Sequence, residues 1–131
     1  MSINMSESTE RTWKYFTKEE FHCKCGNCTT NGIQDELIDK LDKARGISNV
    51  SYKINSGYRC EAHNSAIGGA PQSLHKFGRA ADIHVADNHS RYMILKGLFE
   101  AGLDRVLIYK NFIHADIAGE GRQGEISLWM S

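Results

Sequence analysis

From Gln34 to Arg45 the apolar residues Leu37, Ile38, Leu41 and Ala44 recur three or four positions apart, and Gly46 stands where a left-handed cap would end the run. That spacing predicts an amphipathic helix. The period then changes: Val50, Tyr52 and Ile54 alternate with Ser51, Lys53 and Asn55, which predicts a half-buried strand stopping at Ser56-Gly57. A short helical segment over residues 61–67 is broken by Gly68-Gly69. Alternation returns from Ala80 to Val85, where Ala81, Ile83 and Val85 share one face and Ala80, Asp82 and His84 the other. Ser90 is placed to cap a helix reaching about Ala101, with Met93, Ile94, Leu98 and Phe99 on its buried side and Gly102 at its end. Strands over 106–109 and 112–117, joined by Lys110-Asn111, read as a hairpin. In its second strand Ile113, Ala115 and Ile117 form the apolar side, opposite Phe112, His114 and Asp116. A terminal strand is expected around residues 126–130. Before the first helix, residues 1–12 read as a flexible polar tail, Thr17-Lys18-Glu19-Glu20 as a capping box, and residues 23–32 as a turn-rich, cysteine-bearing loop.

These elements predict an α+β fold, a small antiparallel sheet with helices packed on one side. A chain of 131 residues suits one hydrophobic core, so residues 1–131 are expected to form a single domain. Lysine plus arginine equal aspartate plus glutamate at 16 each, which leaves no field of one sign to attract nucleic acid or an anionic membrane surface. The expectation is a monomer that neither binds nucleic acid nor inserts in a membrane. Residues 1–11 lack the apolar stretch of a secretory signal, so synthesis in the cytoplasm is expected, with access to any extracellular substrate by release or as part of a virus particle.

The polar faces of the two central strands carry metal-capable groups. A sheet that sets Asp82 beside His114 needs only His75, on the loop entering the first of these strands, to complete three ligands. Two imidazoles and one carboxylate leave a fourth tetrahedral position for water, which zinc acidifies enough to supply hydroxide near neutral pH. Gly78 lets the intervening backbone turn so that His75 and Asp82 converge. Six histidines in such a chain will pair with carboxylates by chance, so the local wording matters more than the spacing. Ser73-Leu74-His75-Lys76-Phe77-Gly78-Arg79-Ala80-Ala81-Asp82 resembles the Ser-x-His-x-x-Gly-x-Ala-x-Asp motif of the zinc D-alanyl-D-alanine carboxypeptidase and L-alanyl-D-glutamate peptidase family. Ser56-Gly57-Tyr58-Arg59, His63-Asn64 and Gly68-Gly69-Ala70 resemble the segment preceding that motif in phage and bacterial relatives, and Phe112-Ile113-His114-Ala115-Asp116 their closing His-x-Asp segment.

The resemblance implies a zinc ion held by His75, Asp82 and His114, and a fold shared with the Hedgehog signalling domain. It puts the family's arginine at Arg59, where a guanidinium would stabilise a tetrahedral oxyanion or orient a substrate carboxylate. Ser73 is a candidate for substrate binding or, equally, a turn cap. Several branches of the family place an acidic base three residues before the last histidine ligand, where this chain has Asn111, an amide that cannot accept the proton. Asp116 shares a strand face with His114. It is therefore the candidate catalytic base, with the alternative that it orients a zinc-bound histidine. His84, two residues beyond Asp82 on the same face, is a candidate cleft residue; His22, His63 and His89 have weaker claims.

Cys23, Cys25 and Cys28 crowd one loop and Cys60 follows Arg59. Three states stay open for them: a structural zinc with four sulfur ligands, one or two disulfides, or free thiols. The implied activity is metal-dependent hydrolysis of a peptide bond in bacterial peptidoglycan, as a D,D-carboxypeptidase or endopeptidase of endolysin type. The alternative is a zinc-bearing binding or structural module, virion-associated, that has lost turnover.

Overall fold

The structure is a computed structural model, and it describes residues 11–119 and 124–129. Its three helices are α1 (Asp35–Ser48), α2 (Glu61–Ala66) and α3 (Asn88–Ala101). Its five strands are β1 (Ile54–Ser56), β2 (Ala80–His84), β3 (Arg105–Tyr109), β4 (Phe112–Asp116) and β5 (Glu125–Trp129). Single 3-10 turns occupy Lys18–Phe21 and Leu74–Phe77.

The strands form one sheet in the order β1-β2-β4-β3-β5. The first three pairings are antiparallel, but β5 runs parallel to β3. The sheet is therefore mixed rather than wholly antiparallel. β5 lies on the side of β3 away from β4, so the last strand repeats the direction of the first hairpin arm. Helices α1 and α3 pack against each other and cover one face of the sheet. The core lies between them, built from Leu37, Ile38 and Leu41 of α1, Ile94 and Leu98 of α3, and the inward residues Ala81, Ile83, Val106, Ile108, Ile113 and Ala115 of the central strands. Alternation does the sorting: each neighbour of these inward residues points to the opposite face, where the functional site lies.

Several boundaries differ from the expected ones for local reasons. Helix α1 runs through Gly46 to Ser48 and ends at Asn49, which takes the left-handed conformation (φ 59°, ψ 30°) and donates its amide to the Arg45 carbonyl. Asparagine tolerates that region better than most side chains. The cap of α3 is Asp87, whose carboxylate accepts the Ser90 amide at 2.7 Å, so Ser90 lies inside the first turn. Phe99 is 52% exposed rather than buried, its place in the stripe being taken by Gly97 and Ala101. There is no room for more at residue 97: a Cβ there would sit 2.0 Å from Ser48 Oγ and 2.4 Å from the Ala44 carbonyl oxygen. The capping box at Thr17 forms, with Glu20 accepting the Thr17 amide at 2.8 Å. Tyr52 and Ile54 are buried and Lys53 exposed, as alternation requires, but only Ile54–Ser56 is paired. A bulge there sets two residues of β1 against one of β2, and it turns Ser56 toward Asp82.

Candidate metal centre

The site lies on the sheet face opposite the helices. In the β2–β4 ladder Asp82 pairs directly with His114, so the two side chains leave the same face side by side. His75 arrives from the 3-10 turn just before β2. Ser73 caps that turn by accepting the His75 amide at 3.2 Å, and Gly78 closes it at φ 70°. A Cβ on Gly78 would lie 1.9 Å from the Gly32 carbonyl oxygen, so this reversal requires glycine twice over, for its φ and for its lack of side chain.

His75 Nε2 and His114 Nδ1 both point at Asp82 Oδ1, at 3.3 and 3.2 Å, and the three residues are 3%, 8% and 7% exposed in the order His75, His114, Asp82. Their ligand atoms all fall within 4.8 Å of one another. The remaining imidazole nitrogens are committed elsewhere. His75 Nδ1 lies 2.8 Å from the Gly57 carbonyl oxygen, and His114 Nε2 lies 2.7 Å from Asp116 Oδ2. With a metal bound, donation from those nitrogens would leave His75 Nε2 and His114 Nδ1 free to coordinate, the tautomers a metal ligand needs. Buried nitrogen and oxygen lone pairs converging from three directions fit a divalent cation of the zinc type.

Charges around this trio are tightly coupled. Burial by itself would raise the Asp82 carboxyl, but hydrogen bonds and charge from His114 and His75 outweigh it and hold the group well below the usual carboxylate range. Burial opposes protonation of His114, yet its bonds to Asp116 and Asp82 lift it above its ordinary value. Asp116 is likewise resisted by burial and drawn down by His114 and Arg105.

The trio lines a cleft of about 510 Å³ bounded also by Arg59, Ser73, Arg105, Tyr109 and Phe112. Arg59 is held from three sides, by Ser56 Oγ at 3.1 Å, Asn64 Oδ1 at 3.1 Å and Asp82 Oδ2 at 3.5 Å. Asp116 lies beneath the cleft at 0% exposure. Its Oδ2 accepts from His114 and from Arg105 Nε and Nη2 at 2.9 and 2.8 Å, while Oδ1 accepts the Ala118 amide at 3.1 Å. Both oxygens are thus engaged, and Asp116 itself is not among the cleft residues. His84 is exposed at the end of β2 and is not among the cleft residues, because the wall stops at Asp82 and Phe112. Asn111 sits in the hairpin turn with its carbonyl taken by the Val85 amide. Among the described residues Asp82 is the only carboxylate lining the cleft.

Arg105, Leu107, Tyr109 and Phe112 are cleft residues that sequence reasoning gave no role, although the hairpin contains the signal. Counting back from the Lys110-Asn111 turn places Leu107 opposite His114 and Arg105 opposite Asp116, the register observed. Tyr109 and Phe112 stack there at 4.3 Å between centroids.

The four cysteines also converge. None is in a disulfide, and their sulfurs lie within 4.8 Å of one another. The Asn27 amide and the neighbouring Cys28 bring the Cys25 thiol down to about 6, while Cys25 and burial push Cys28 up to about 12.

The pattern of the Peptidase M15 family matches residues 14–116, most of the chain and all three members of the trio. The chain belongs to the peptidase M15 family. These are zinc-dependent metallopeptidases, and the His75, Asp82 and His114 donors fit that metal. No curated protein matches the chain closely enough to add a relative. None of the described helices of this M15 member is long and apolar enough to cross a membrane.

Proposed function

We propose that this M15 member is a zinc peptidase that hydrolyses a peptide bond in the stem peptides of bacterial peptidoglycan, as a carboxypeptidase or an endopeptidase. The observation that carries the reading is the convergence of His75 Nε2, Asp82 Oδ1 and His114 Nδ1 at a cleft that Arg59 and Arg105 also line. Zinc bound by these three ligands would acidify a water and polarise the scissile carbonyl. Arg59, fixed by Ser56 and Asn64, presents a guanidinium beside Asp82, placed to receive either the negative charge that develops on the attacked carbonyl or a substrate carboxylate. Stem peptides carry such carboxylates, and the stacked Tyr109 and Phe112 with Leu74 and Leu107 provide apolar wall for alanyl methyl groups. Ser73 fixes the turn that delivers His75. Asp116 in this reading is a positioning residue, which holds His114 in its ligating tautomer and is itself held by Arg105.

The test is release of new amino groups from purified peptidoglycan by zinc-loaded protein, with products identified by mass. His75→Ala should abolish release. If zinc-loaded protein releases nothing where another M15 peptidase does, the reading fails. The burial of Asp116 and the engagement of both its oxygens by His114, Arg105 and the Ala118 amide favour a second reading, a recognition module that binds the same stem peptides without turnover. It predicts zinc-dependent sedimentation with peptidoglycan and no products.

A further inference from the structure

Between Cys23 and Ile33 the chain has no regular element, and none of residues 24–32 buries an apolar side chain. Yet this loop is set firmly against the segment that carries Arg59. The Tyr58 amide donates to the Phe21 carbonyl at 2.9 Å, and the Tyr58 ring lies so close to Gly32 that a Cβ there would be 2.6 Å from Cε1. A loop with so little to bury does not offset its own ordering entropy through packing, so another interaction has to hold it.

The sulfurs supply one. Cys25 Sγ is 3.4 Å from Cys28 Sγ and 3.9 Å from Cys60 Sγ. A tetrahedron with zinc–sulfur bonds of the usual length has edges of about 3.8 Å, whereas bonded disulfide sulfurs are about 2.05 Å apart. The observed separations bracket the first value and are far from the second. Backbone amides also reach the sulfurs: Asn27 N to Cys25 Sγ at 3.3 Å, Cys60 N to Cys23 Sγ at 3.4 Å, and His63 N to Cys60 Sγ at 3.4 Å. Such donors stabilise thiolates, the form that ligates metal.

We infer that Cys23, Cys25, Cys28 and Cys60 bind a second zinc ion, a closed four-sulfur site that staples the N-terminal loop to the first turn of α2 and to the backbone of Arg59. Four thiolates fill the coordination sphere and leave no position for water, so the role is structural. The three sulfurs of the loop come from residues 23–28 and the fourth from residue 60, so the metal closes a long loop of chain, as a cross-link does most effectively. This inference does not depend on the peptidase reading.

Full-length protein purified under reducing conditions should carry two zinc ions per chain, one for each donor group, by native mass spectrometry and elemental analysis. Cys25→Ser/Cys28→Ser and His75→Ala should each lower the count to one. A wild-type chain with one zinc that disappears in His75→Ala overturns the staple and leaves the peptidase reading standing. A non-reducing mass lower by two or four hydrogens, with no second zinc, overturns it in favour of disulfides. Should the cysteine variant fail to fold, cobalt in the wild-type chain decides. A four-sulfur site gives intense sulfur-to-cobalt charge-transfer absorption that nitrogen and oxygen donors do not, and its absence overturns the assignment. In the His75→Ala background, chelation should speed tryptic cleavage after the exposed Lys24 by more than about tenfold, because cleavage follows the population of opened loop. An unchanged rate would overturn the stapling role.

Discussion

His114 gives up one nitrogen to Asp82 and the other to Asp116, and that division decides what Asp116 does. A base must reach the open side of the metal, but the Asp116 carboxylate is fully buried behind the imidazole with Arg105 on it. Asp116→Asn should therefore act first on the metal. Zinc affinity should fall by about 10- to 100-fold, and added zinc should restore much of the hydrolysis. Normal zinc content with hydrolysis lost would instead make Asp116 the base. The pH dependence follows from the same contacts. His114 is raised above 6.5, and a ligating nitrogen must be unprotonated. Zinc affinity measured by calorimetry should thus begin to fall while the pH is still above 6.5. In metal-free protein the signs reverse. The raised His114 contributes stability below 6.5 that is lost as pH rises through its folded value, and the depressed Asp82 and Asp116 contribute stability above 3.8 that is lost as pH falls. The trio was legible in the sequence because strand alternation and one motif both pointed at it. The Arg105–Asp116 pair was not, because its geometry depends on register across a hairpin, which a single-strand reading does not use.

At the scale of elements, the pattern located the three α-helices and four of the five strands of the described residues, met the first strand only at its end, read the 3-10 turn of His75 as loop, and misjudged what ends or aligns the elements. Gly46 looked like a cap because glycine commonly is one, yet the chain goes on to Asn49, where the Arg45 carbonyl can still be met. In α3 the stripe of Met93, Ile94, Leu98 and Phe99 omitted the residue that sets the helix spacing. Gly97 faces Ala44 and Ser48 across the α1–α3 crossing, so the helices meet backbone to side chain with no intervening methyl. Gly97→Ala should therefore destabilise despite its better helix propensity, by about 1–3 kcal/mol, since the gain from propensity is about 1 kcal/mol and the Ala44 carbonyl cannot move aside freely. Chemical denaturation would show the change in midpoint; an increase in stability would mean that the helices separate at no cost. The parallel pairing of β5 with β3 was hidden for another reason. Alternation identifies a strand but not its direction, and nothing in residues 125–129 distinguishes a hairpin return from a crossover.

For the whole molecule, a metal at the His75 centre would join the turn before β2 to two neighbouring strands of the sheet. His75 belongs to a 3-10 turn, while Asp82 and His114 belong to β2 and to the central strand β4 of the sheet. The turn is anchored by the Arg59 amide on the His75 carbonyl and the Gln34 amide on the Gly78 carbonyl, so a metal pulling on His75 also tightens the start of α1 and the Arg59 segment. Binding to the native state alone stabilises it by mass action, about 2.7 kcal/mol at free zinc one hundred times the dissociation constant. For a chain of this length that is a rise in melting temperature of about 10 °C. The Cys25→Ser/Cys28→Ser protein isolates the contribution of the His75 centre, and there the rise should scale with the logarithm of zinc concentration and vanish on adding His75→Ala. A melting temperature in that background independent of zinc would mean the three donors do not hold the metal at all. A rise that survives His75→Ala would mean that Asp82 and His114 suffice, and the turn would then serve the cleft rather than the metal.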